Sequence, residues 1–142
     1  VEGPTTLIKG LLAEAHLLDS ENKDVLDYIE LMEAKGYLKA GLNDTGEVQL
    51  KNLIRRSPQN AHALFLLGTH LYWADKEPQL ALPYLEACVR YTPNMLRAWG
   101  CLGAIYKSLG SSELAMRSFQ KCLELETDSQ MKEYFKKLIN ET

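Results

Sequence analysis

The chain has 142 residues, 46% hydrophobic and 25% charged, a composition that fits one globular domain with a continuous core. Sixteen Lys and Arg against nineteen Asp and Glu leave a formal net charge of −3. That balance argues against nucleic acid as a partner, because displacing counterions needs a clear basic excess, and no apolar run approaches the roughly 18 residues of a membrane span.

Val1-Glu2-Gly3-Pro4 has neither the basic start nor the apolar stretch of a signal peptide, and an opening Val fits an excised or processed fragment. Leu7, Ile8, Leu12 and Ala15, ahead of Asp19-Ser20-Glu21-Asn22, predict an N-terminal helix over 5–19. If nothing covers it, the surface around Leu11, Leu12 and Leu18 is an expected route to homo-oligomers. Further along, Asp44-x2-Glu47 has a capping-box pattern and Ser57-Pro58 marks a helix stop. Lys51, Arg55 and Arg56 form a small basic patch, expected to be a solvated face or otherwise a rim contact for an acidic partner.

Blocks 61–95 and 96–129 repeat one another. Leu64, Leu67, Gly68, Leu71, Ala81, Leu85, Cys88 and Pro93 answer to Trp99, Leu102, Gly103, Tyr106, Ala115, Phe119, Cys122 and Thr127. Corresponding positions stand 35 apart in the first half of the block and 34 in the second, so one extra residue belongs to the Asp75–Gln79 turn. Trp99, Leu102 and Tyr106 share one helix face, as do Ala115, Phe119, Cys122 and Leu123. Between them Leu109-Gly110-Ser111-Ser112 combines a glycine stop with a serine cap, and Asn60 and Asn94 are further cap candidates. Gly68 and Gly103 lie mid-helix, where glycine costs about 1 kcal/mol relative to alanine. Close helix approach compensates for that cost, with Ala81 and Ala115 as the expected small partners. Asp128-Ser129 predicts a cap for a last helix over 130–139, with Met131, Tyr134, Phe135 and Leu138 on its packed side and Lys132, Lys136 and Lys137 in water.

The pattern W-x2-L-G-x2-Y…A-x3-F…P resembles the tetratricopeptide repeat family: Trp99 to Phe119 carries it in full, and 61–95 carries it with Leu64 at the aromatic position. Residues 24–58 resemble a degenerate copy, a helical hairpin with its turn at Gly41, that departs at Glu33 and Gly46, and 5–19 resembles a half-repeat. The resemblance implies an all-α fold, a right-handed α-solenoid of antiparallel hairpins, with about three repeats and a capping helix in a single domain, 1–142. It also implies that the first helix of each repeat lines a concave groove. The groove residues are then His62, Phe65, Thr69, Tyr72 and Trp73 in one repeat, and Arg97, Gly100, Ala104 and Lys107 in the next. A C-terminal carboxylate clamp of the kind some family members carry is not expected, because Phe65 and Thr69 stand where Lys and Asn are needed and Cys101 replaces a later Asn. In the degenerate copy, Leu31 and Lys35 stand at the equivalent places.

No chemistry stands out against this background. His62 and His70 are eight apart rather than four, and the chain lacks phosphate-loop, dinucleotide, nucleophile-elbow and zinc-helix motifs. Cys88 and Cys122 occupy small-residue packing positions, and an odd count of three cysteines without a CxxC pair fits reduced thiols in a cytoplasmic protein. The expectation is a non-enzymatic scaffold that needs no cofactor or metal and holds a peptide or helix of another protein. Two alternatives are a docking fragment of a larger enzyme and a small chaperone of a secreted or assembling subunit.

Overall fold

The computed structural model describes residues 6–11, 14 and 23–142. Wherever apolar residues recur at three- and four-residue spacing these residues are helical, and there is no strand among them. The helices are α1 (Lys23–Lys39), α2 (Asn43–Arg56), α3 (Ala61–Trp73), α4 (Pro78–Tyr91), α5 (Leu96–Ser108), α6 (Ser112–Leu125) and α7 (Ser129–Glu141). Residues 6–11 and 14 are helical as well; the remainder of the expected 5–19 helix, with Leu12 and Leu18, lies outside the described residues. Contacts divide the chain into two compact units, 1–66 and 67–142, and the division falls inside α3.

In the first unit α1 and α2 pack as a hairpin around Leu26, Ile29, Ala34, Leu50 and Leu53. Gly41, at φ +80°, reverses the chain between them. Leu42 N–H donates to Tyr37 C=O at 2.9 Å and Gly41 N–H to Leu38 C=O at 3.1 Å, the paired bonds of a Schellman stop. The departure at Gly46 is accommodated by packing, and that at Glu33 only in part, since its buried Oε2 has no hydrogen-bond partner among the described residues. Gly46 is buried with Leu38 in the space its own methyl would take, and buried Glu33 accepts a hydrogen bond from the Tyr37 hydroxyl at 3.1 Å. The expected capping box at Asp44 and Glu47 does not form. Leu42 is the N-cap residue and its carbonyl accepts from Gly46, so Asp44 already lies inside the first turn.

Arg56 is not a solvated patch cation. Its guanidinium reaches back to α1, 2.6 Å from both the Asp27 and Glu30 carboxylates, and the Ser57 hydroxyl donates to the other oxygen of buried Asp27. Those charge-assisted bonds hold the guanidinium firmly protonated, the Glu30 bond contributing most.

In the second unit the hairpin α5–α6 closes on Gly110, again at φ +80°, with Ser111 N–H donating to Tyr106 C=O at 2.8 Å. The matching turn after α3 carries the extra residue, and Lys76 absorbs it by adopting φ 55°. The expected small-on-small contacts are replaced by small-on-large ones. A β-carbon at Gly68 would stand 2.7 Å from Leu85 Cγ, and one at Gly103 would collide with the Phe119 ring; Ala81 and Ala115 are fully buried but are not the residues the glycines receive. A missing side chain on one helix thus seats a large one from the next.

Of the expected caps, Asn60 accepts from Ala63 N–H at 3.1 Å and Asp128 from Met131 N–H at 3.0 Å. Asn94 does not cap α5, because the helix ladder begins at the Met95 carbonyl, and Ser111 stands at the N-cap of α6 without a side-chain bond. The last helix is longer than expected and rotated. Phe135 is buried with Ala115, Phe119 and Cys122, flanked by Leu138 and Ile139, whereas Met131 and Tyr134 are exposed. Met131 and Tyr134 therefore do not belong to its packed side.

Candidate functional site

On α5, Arg97, Gly100, Ala104 and Lys107 recur at spacings of three, four and three, so they share one face. Over this face lies an open pocket of about 550 Å³ in the second unit. Gly100 and Ala104 supply its floor, and Trp73, at the end of α3, stands at one side. From α7 come Tyr134, Phe135 and Leu138 at the other side, and the Phe119 ring of α6 is reached from within. Lys107 and Ser108 close the C-terminal end of the floor, and Lys107 is the one formal charge in the lining.

The small residues make this space. A β-carbon at Gly100 would meet nothing nearer than Cys122 Sγ at 3.9 Å, so no packing demand keeps this position glycine. Gly103, by contrast, admits the Phe119 ring to the core it shares with Phe135. Trp73 is 67% exposed and steadied by an edge contact with Tyr72, ring centroids 4.8 Å apart. Tyr134 is 51% exposed and leans on Phe135 at 5.7 Å. Two amphipathic aromatics thus stand in water beside an apolar floor.

The pocket unites Trp73, Gly100, Ala104 and Lys107 among the residues expected from sequence. Thr69 and Tyr72 are half-buried on α3, and Arg97 is exposed at the start of α5; none of the three lines the pocket. His62, exposed, and Phe65, half-buried, belong to the first unit. Tyr134 and Leu138 were missed, although the repeat carries the signal: they stand 34 residues after Gly100 and Ala104.

Burial pushes Cys88 up to about 11 and Cys122 up to about 12, and raises Cys101 as well. Cys88 Sγ lies 3.3 Å from Met95 Sδ, and Cys122 Sγ donates weakly to Leu96 C=O at 3.7 Å, so both act as packing groups around the start of α5. No described helix is long and apolar enough to cross a membrane.

The tetratricopeptide repeat profile matches residues 61–95 and 96–129, the two blocks aligned above. Among solved structures, the MamA D159K mutant 2 is similar with a TM-score of 0.70 at 24% identity, over 95% of this chain and 74% of that one. A crystal structure of MamA gives 0.69 at 16% identity, over 99% and 92%. MamA 41-end from Desulfovibrio magneticus RS-1 gives 0.67 at 19% identity, over 99% and 90%. At these identities the likeness is one of fold, the all-α solenoid class. No curated protein sequence matches the chain.

Proposed function

We propose that this chain, which carries two tetratricopeptide repeats at residues 61–95 and 96–129, is a protein–protein interaction scaffold whose groove over α5 holds a segment of a partner within a multiprotein assembly. One observation carries the reading: positions that the repeat pattern assigns to the inner face, Trp73, Gly100, Ala104 and Lys107, line a single solvent-open pocket together with Tyr134 and Leu138. Exposed Trp and Tyr beside an apolar floor provide large contact area at low entropic cost, the usual composition of a binding hot spot. Thr69 and Tyr72 on α3, and Arg97 on α5, extend the contact surface on this reading. The role is binding, with no cofactor, and the three free thiols suit a cytoplasmic setting.

Affinity capture with the intact chain as bait tests this. The paired substitution Trp73→Ala and Tyr134→Ala removes two exposed rings, so it should abolish capture of the partner while the melting temperature stays within a few degrees of the parent. Undiminished capture by the folded double variant would overturn the groove reading.

A further inference from the structure

We infer that the segment held in this groove presents a bulky apolar side chain next to a carboxylate, the apolar group filling the pocket over α5 and the carboxylate pairing with Lys107; this rests on the groove-binding reading above. Gly100 and Ala104 leave the floor of the pocket bare, and the rings of Phe119 and Phe135 add to its apolar lining. Most of the lining is apolar, so an aromatic or large aliphatic side chain gains contact on several sides there, whereas a small polar one gains little. The charge at the mouth has one sign. Lys107 is exposed, has no ion-pair partner among the described residues, and shares its helix face with Arg97 and no acid. The acids on α7 are engaged elsewhere, Glu133 with Lys136 at 3.0 Å and Glu141 with Lys137 at 3.9 Å. A carboxylate beside the anchor therefore meets an available cation, and a basic residue there meets repulsion. Apolar burial supplies most of the affinity, and Lys107 sets the preference between acidic and basic segments.

The test is selection of a phage-displayed random peptide library on the full chain, followed by binding of the enriched peptides as synthetic probes. Enriched peptides should carry Phe, Trp or Leu within two positions of Asp or Glu. Filling the floor with Gly100→Leu, or independently with Ala104→Leu in case the first fails to fold, should weaken them at least tenfold. Lys107→Glu should weaken the acidic peptides about three- to tenfold and strengthen versions in which Lys replaces the acid. Peptides that respond to both plugs but ignore Lys107→Glu would overturn the carboxylate and leave groove binding standing. Peptides indifferent to both plugs, or no enrichment at all, would overturn groove binding itself.

Discussion

The Phe119 ring occupies the space that a β-carbon on Gly103 would need, whereas three residues earlier a β-carbon on Gly100 would meet only Cys122 Sγ, at an ordinary contact distance of 3.9 Å. Both are helical glycines on α5, and substitution by alanine should separate them. Gly103→Ala gains about 1 kcal/mol of helix propensity but forces a ring in the core of α6 and α7 to move, for a net loss of about 1–3 kcal/mol. Gly100→Ala meets no obstacle and should stabilise the chain by up to about 1 kcal/mol. Urea midpoints of the two variants check the contrast. Equal effects would mean that Phe119 readjusts freely.

Arg56 gathers two carboxylates of α1, one of them buried, and its loss should be felt far beyond an ordinary surface cation. Arg56→Ala leaves Asp27 with the Ser57 hydroxyl as its side-chain hydrogen-bond partner, and should cost about 1–3 kcal/mol. Arg56→Lys keeps the charge but not the fork that spans both acids, so it should fall between. Trp73 and Trp99 both stand in the second unit, so circular dichroism, not tryptophan fluorescence, must follow this loss. A change below 0.5 kcal/mol, the range of ordinary surface substitutions, would show the cluster to be ornamental to stability.

The repeat period was legible because each helix uses its apolar face twice, once within its hairpin and once against the next. Leu67, Leu102, Ala81 and Ala115 could therefore be aligned, and all four are buried. What the pattern could not supply was the partner of each position. Gly103 receives Phe119 rather than Ala115 because the groove in a helix left by glycine accepts the larger side chain one turn along. Treating the last helix as a cap placed Tyr134 on its packed side, although the period itself assigns that position to the face of Gly100. Arg56 looked like surface because its acids lie 26 and 29 residues upstream, a separation no local pattern reports.

The buried thiols link stability to alkaline pH. Cys88 and Cys122 have folded values of about 11 and about 12 against an ordinary 9.0, so folding favours their protonated forms. A raised value contributes stability that is fully present below pH 9 and is lost as pH rises through 11 and 12. The chain should hold its stability up to pH 9 and lose it above. Cys88→Ala with Cys122→Ala should flatten that loss, though Tyr106, pushed up to about 12 by burial and by Glu86, keeps a smaller part of it. At pH 8 a colourless disulfide reagent should label these two thiols only after denaturant is added. Prompt labelling of both in the folded chain would contradict their burial.

Asp128 connects the end of the chain to the groove. Its carboxylate accepts from Met131 N–H at 3.0 Å at the start of α7, the helix that carries Tyr134 and Leu138 to the pocket. Replacing this cap by alanine removes about 1 kcal/mol from the helix terminus. Phe135 still anchors the middle of α7, so Asp128→Ala should fray the first turn rather than detach the helix, and increased amide exchange at residues 129–132 should record it. Because Tyr134 begins the next turn, groove peptides should dissociate severalfold faster. Asp128→Asn retains an acceptor at the same position and should restore both amide protection and residence time. If Asn behaves like Ala in both measurements, the carboxylate charge at the helix N-terminus matters more than the cap bond; if neither variant alters binding, α7 contributes no more than its middle to the groove.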